Sequence, residues 1–261
     1  MYDFLSRTGC VDTAGDGTYW CIKHPLLDRH RPNHHYQLIR HSSNPPSRPP
    51  SLQQQSTMST TNGSKTPLRI GVLYEETQMT DLAGLDLLGN LTPQTIDLVC
   101  EIVPEMSVLK QYTIPMEFLY ISSSMEPART TPDMYVQPTH TYENAPRDLD
   151  ILVLGGPNPM TVPAGSLKFL EEASKKTKVI LTTCTGAMWL ARSGVLDGKK
   201  ATTNRVTLSA ARKMAPSVEW LDQRWVVGDG LFEGSQIWTA GGAGCGESQV
   251  SQKMYTCSGM E

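Results

Sequence analysis

The sequence predicts an α/β fold, a three-layer α/β/α sandwich around a mostly parallel sheet, and three observations predict it. First, the runs LRIGVLY (68–74), DLDILVLGG (148–156) and KVILTT (178–183) are apolar without alternation, as strands buried on both faces must be. Second, each run is followed by a polar or glycine-rich turn: EETQMTD, GGPNP and TCTG. Third, each turn leads to a stretch with helical spacing. Alternating strand and helix forces parallel pairing with helices on both faces. In such sheets, sites lie beyond the carboxyl ends of the strands, where these three turns fall.

The elements follow in order. After the first strand, MTDLAGLDLLGNL brings Leu82, Leu85, Leu88 and Leu91 back every three residues, as one helix face requires. Residues 93–115 carry no clear period and read as a helical insertion. MEFLYIS (116–122) and DMYVQPTHTY (133–142) have the β-branched and aromatic content of strands, with Pro138 demanding an edge or a bend in the second. SLKFLEEASKKT (166–177) puts Leu167, Leu170 and Ala173 on one helix face and charge on the other. AMWLARS (187–193) is the helix after KVILTT, and Gly194 closes it as a C′ residue. Asp197-Gly198 turns the chain into a further strand, VTLSAARKM (206–214) is helical up to Pro216, and RWVV pairs with QIWTAGG across the long connection GDGLFEGS. The final GESQVSQKMYTCSGME reads as a polar tail.

Composition sets the limits of the domain. Within the 261 residues, the first 66 hold five of the six histidines and the runs SSNPPSRPPS and SLQQQS. Such a segment cannot bury enough surface to offset its ordering entropy, so 1–66 is expected to be a disordered extension, 67–246 the folded domain and 247–261 a tail. Met58 resembles a natural start, which would make 1–57 an upstream extension. The net charge of −3 divides into seven basic and four acidic side chains in 1–66 and a net −6 in the remainder. An acidic body argues against a nucleic-acid partner, and the tract CIKHPLLDRHRPNHH reads as a solvated tail. No run approaches the ~18 apolar residues of a membrane helix, and no apolar leader opens the chain, so a cytoplasmic protein with no membrane partner is expected. Cys10, Cys21, Cys100, Cys184, Cys245 and Cys257 show no CxxC or ligand-like spacing, which suits free thiols in a reducing compartment and no metal site.

Cys184 stands where a strand ends and a helix begins. Unpaired N–H groups and the helix dipole there favour thiolate, the reactive form. Thr185 and Gly186 follow it and permit a tight turn with an amide facing a substrate. The competing reading is a small buried hydrophobe.

The segment LTTCTGAMWLARSGVLDGKKATT resembles the cysteine elbow of the ThiJ/PfpI superfamily, the flavodoxin-like class I glutamine amidotransferase-like fold. The likeness continues through TDLAGLDLLGNL, THTYENAPRDLDILVLGGPNP and WTAGGAGCG in the family's order, over residues 68–246, and leans toward the isocyanide (isonitrile) hydratase-like branch. The resemblance implies Cys184 as nucleophile, Asp81 as acid and base, Thr185, Gly156 and Gly186 as substrate-binding residues, no metal or organic cofactor, a small-molecule substrate and a homodimer. Asp81 has a structural alternative as a helix N-cap, Glu75 and Glu76 are fallback acids, and Leu82, Met188 and Trp189 are pocket-lining or core residues.

Three departures qualify the resemblance. Asn204 stands where many relatives have a histidine, and an amide cannot take a proton from a thiol; the remaining histidine of the domain, His140, is a weak substitute. Pro157 replaces a glycine whose N–H would stabilise an anion. The family's further core-covering helix is replaced by the polar tail. The expected activity is therefore hydration of a small isocyanide through a thioimidate on Cys184. The alternatives are glyoxalase or deglycase-like chemistry on an α-oxoaldehyde, and a redox-sensing protein without catalysis.

Overall fold

The three apolar runs form the middle of one sheet. The computed structural model describes residues 66–258, and the side chains of residues 66–252. The N-terminal extension as far as residue 65, its basic tract, the start at Met58, Cys10 and Cys21, and the side chain of Cys257 lie outside the described residues.

The chain runs through β1 (Leu68–Leu73), a 3₁₀ turn (Met79–Leu82), α1 (Gly84–Gly89), α2 (Pro93–Ile102), a 3₁₀ stretch (Pro104–Tyr112) and β2 (Met116–Ser122). Next come β3 (Ala128–Thr130), β4 (Met134–Val136), β5 (His140–Thr141), β6 (Ile151–Leu154), α3 (Ala164–Ser174), β7 (Val179–Thr183) and α4 (Gly186–Arg192). It closes with β8 (Lys200–Ala201), a 3₁₀ turn (Arg205–Thr207), α5 (Leu208–Met214), β9 (Glu219–Trp220), β10 (Trp225–Asp229), β11 (Gln236–Ala240) and α6 (Ala243–Ser258). The main sheet has the order β10-β11-β7-β6-β1-β2-β5, and its pairs are parallel except β10 with β11.

Each central strand feeds two cores, which is why its sequence does not alternate. In β7, Ile180 enters a core with Phe169, Trp189 and Leu208 of α3, α4 and α5. Val179 and Leu181 enter the opposite core with Leu82, Leu88 and Val250. Leu73 pairs with Leu154, and Leu154 with Thr182, so the ends of β1, β6 and β7 come level. That register brings the turns at Glu75, Gly155 and Cys184 to one edge.

Several expectations change. The leucine stretch is not one helix: Leu82 closes the 3₁₀ turn and Leu88 belongs to α1. A strict period of three matches a 3₁₀ turn better than the ~3.6 of an α-helix. The insertion forms α2, capped by Thr92, whose Oγ1 accepts the Thr95 N–H at 3.4 Å. DMYVQPTHTY splits into β4 and β5 around Pro138.

The largest correction concerns the tail, because α6 runs through Ser258 and the expected boundary at 246 falls inside it. It docks through small residues. A Cβ on Gly246 would lie 2.5 Å from Thr183 Oγ1, and one on Gly84 2.7 Å from Val250 Cγ2. Such close approach needs no apolar stripe, so a polar sequence concealed it. Among the described residues no helix is long and apolar enough to cross a membrane.

Val250 is 6% exposed. Val250→Asp would bury an unpaired charge under α1, and is expected to lower stability by ~3 kcal/mol or more in urea denaturation. An unchanged midpoint would contradict the packing of α6.

Candidate active site

Past Thr183 the chain turns sharply, and Cys184 takes φ +57°, the left-handed region that non-glycine residues rarely occupy. Both of its peptide groups are held. The Cys184 N–H donates to Ala240 O at 2.9 Å, and its carbonyl accepts the Thr203 hydroxyl at 2.8 Å. Gly186 then opens α4 against the end of β6, where a Cβ would meet Leu154 O and Gly155 O at 2.7 Å. Gly186 is thus a close-packing position at the elbow.

Asp81 arrives from the 3₁₀ turn after β1. It is 5% exposed and Cys184 7%. Asp81 Oδ2 accepts the Gly156 N–H at 3.0 Å, and its carboxyl is buried beside the Cys184 thiol, close enough for each to act on the other's ionisation. The helix-cap alternative does not hold, since no side chain caps α1. Gly156 passes between the site groups: a Cβ there would lie 2.6 Å from Asp81 Oδ2 and 2.7 Å from Thr185 Oγ1. The Thr185 hydroxyl donates to Pro157 O at 2.7 Å, and its backbone amide favours the ionised sulfur.

Cys184, Asp81, Thr185, Gly156 and Gly186 therefore converge, with some tasks different from those expected. The Gly156 N–H is taken by Asp81 and the Thr185 hydroxyl by Pro157, so each braces the site. The other candidates lie elsewhere. Glu75 accepts the Tyr142 O–H at 2.7 Å and the Ser123 N–H at 2.9 Å. With Glu76, Pro157, Asn158, Thr161 and Val162 it bounds a cavity of about 260 Å³ that abuts the elbow through Pro157. His140 lies on β5, four strand spacings or ~19 Å from β7, and bonds Thr139 Oγ1. Met188 and Trp189 belong to the core, and Trp189 donates to Ser166 Oγ at 2.9 Å. Cys100, Cys184 and Cys245 are free thiols. No cluster of three or more metal-ligating side chains occurs among the described residues.

One group went unread in the sequence, and another was read only as a missing base. Thr203 clamps the elbow, and Asn204 donates through Nδ2 to Cys184 Sγ at 3.4 Å. Asn204 also caps the 3₁₀ turn Arg205–Thr207 through Oδ1, and its preference for cap positions was the available signal.

The electrostatics correct another expectation. A helix start was expected to lower the thiol pKa, but burial pushes Cys184 up, and the Asp81 carboxylate adds to the rise. The Asn204 and Thr185 N–H groups pull the other way without overcoming burial. Burial also raises Asp81, against its bonds from Gly156 and Cys184. Thiol and carboxyl are thus a coupled pair, able to share a proton and pass it to a substrate.

A carboxyl raised in the folded state contributes stability that is present below its unfolded value of ~3.9 and is lost as pH rises through the folded value. At pH 7 an ionised Asp81 therefore costs stability. Asp81→Asn keeps an oxygen for the Gly156 N–H and is expected to raise Tm at pH 7, with the gain shrinking toward pH 4. A lower Tm at pH 7 would contradict this.

The DJ-1/PfpI family profile matches residues 99–243. The chain is 25% identical over 142 residues to an isonitrile hydratase of Pseudomonas putida, covering 52% of each, so it spans about half the length of the curated relative it matches. Among solved structures it is similar to a ThiJ/PfpI family protein from Pseudomonas syringae, with TM-score 0.54 and 20% identity over 75% of this chain and 74% of that one. It is also similar to an AraC family transcriptional regulator from Pseudomonas putida, with TM-score 0.51 and 14% identity over 73% and 92%. Those two likenesses are of fold. With the fold, the cysteine elbow and a profile match across more than half its length, the chain belongs to the DJ-1/PfpI family.

Proposed function

We propose that the chain is a cysteine-dependent hydratase that converts a small isocyanide into an N-substituted formamide, with Cys184 as nucleophile and Asp81 as acid and base. The observation that carries this reading is a thiol and a carboxyl buried side by side at the elbow, flanked by an amide where a base would otherwise stand. The likeness to an isonitrile hydratase supports it.

The geometry suits addition at one carbon. In the reactive form of the pair the sulfur is anionic and the carboxyl holds the proton. Sulfur bonds to the terminal carbon of R–NC while Asp81 gives its proton to that same carbon, leaving the thioimidate R–N=CH–S and a carboxylate. Asp81 then draws a proton from water as the water oxygen adds to the carbon, and passes that proton to nitrogen. The C–S bond breaks, the hydroxyl proton returns to Asp81, and R–NH–CHO departs. Every proton and electron pair comes from Cys184, Asp81, substrate or water.

The test is formamide production from a small alkyl isonitrile by the full chain. Cys184→Ala is expected to abolish turnover, and Asp81→Asn to lower it by about 10² or more, the usual contribution of a positioned acid. An unchanged rate in Cys184→Ala would end this reading.

A further inference from the structure

The sulfur of Cys184 lies between a carboxyl and an amide, and the amide cannot be turned around freely. Asn204 Oδ1 accepts the Val206 N–H at 3.0 Å, while its backbone carbonyl accepts both the N–H and the hydroxyl of Thr207, at 2.8 and 2.9 Å. Exchanging the amide oxygen and nitrogen would leave the Val206 N–H without its acceptor and put lone pairs against the sulfur. The segment before it is equally fixed. The Thr202 N–H donates to Thr239 Oγ1 at 2.9 Å, and the Thr202 hydroxyl to Gln223 O at 3.0 Å. Thr203 reaches the carbonyl of Cys184 itself. The cap that starts the next turn therefore aims an N–H donor at the nucleophile.

We infer that Asn204 is a catalytic residue of this site, donating through Nδ2 to Cys184 Sγ so that it stabilises the sulfur anion during attack and again on departure, while Asp81 alone takes and returns the thiol proton. The inference rests on the reading of Cys184 as the nucleophile. A histidine at this position would compete for the proton; the amide holds charge without accepting one. The other ionisable groups nearby are occupied. Arg205, beside Asn204, pairs with Asp222 at 2.7 Å, Glu75 is held by Tyr142 and Ser123, and Arg192, on α4, donates to Pro159 O. Asn204 and Asp81 thus act on the sulfur with opposite sign, the amide favouring the anion and the carboxylate opposing it.

The experiment is the pH dependence of iodoacetamide alkylation at Cys184 in the full chain, followed by mass spectrometry of its peptide. Asn204→Asp keeps an oxygen for the Val206 N–H and replaces the donor by an acceptor; Asn204→Ala removes both. The half-point for alkylation is expected to rise in both variants, and further in Asn204→Asp, whose rate at pH 8 should fall by about tenfold for each unit of rise. Asn204→Asp should also keep the parent's circular dichroism, with Tm at pH 7 lowered by the added carboxylate. Alkylation of Asn204→Asp like that of the parent would overturn the inference, and so would an unchanged half-point in Asn204→Ala; either result leaves Asn204 a cap and nothing more. Because no isonitrile enters this measurement, a failed turnover assay would sink the proposed reaction and leave the role of Asn204 standing.

Discussion

A cysteine at φ +57° has its Cβ crowded by its own backbone, and the conformation costs about 1–2 kcal/mol unless its surroundings impose it. Here they do. Ala240 at the end of β11 takes the Cys184 N–H, and Thr203 takes its carbonyl, so two separate parts of the chain clamp one residue. Gly186 lets α4 close on the backbone of Leu154 and Gly155 directly afterwards. The parallel register of β6, β7 and β11 serves this arrangement: moving any of these strands by a residue would release the elbow.

Once the thiol is fixed at the sheet edge, the burial of Asp81 beside it decides its character. Two acids in a space largely closed to water cannot both ionise without heavy cost, so one negative charge and one proton are shared between them. Both groups are displaced upward by burial, which makes the pair a cost to stability that a plain core would not carry. Functional sites are where folds tolerate such costs. The Gly156 N–H, the Thr185 amide and the Asn204 side chain each offset part of it by donating into the pair.

The sequence showed the sheet and the elbow because their signals are local. Buried parallel strands read as unbroken apolar runs, and Gly194 at φ +80° marks the end of α4 as a C′ glycine should. What stayed hidden depended on contacts between distant residues. Among the described residues of α6, Gly246 and Val250 pack against the sheet and α1, and the polar residues between them made the helix look like a tail. The leucines of 82–91 obeyed a period of three that a 3₁₀ turn and a short helix divide between them. At the site, the resemblance brought Asp81 and Cys184 together on paper, but residue identity could not tell that Gly156 gives its N–H to Asp81 rather than to a substrate. Asn204 looked like a lost base because the direction of its amide is set by a cap, which only the fold reveals.

Sharing of one proton between thiol and carboxyl can be observed directly. The most direct measurement is the carboxyl carbon resonance of Asp81, followed by NMR across pH in the parent chain and in Cys184→Ala. A titration displaced above the ordinary aspartate range is expected, with a second inflection as the thiol ionises, and loss of that second inflection in Cys184→Ala. A single titration at the ordinary aspartate value, the same in both proteins, would contradict it.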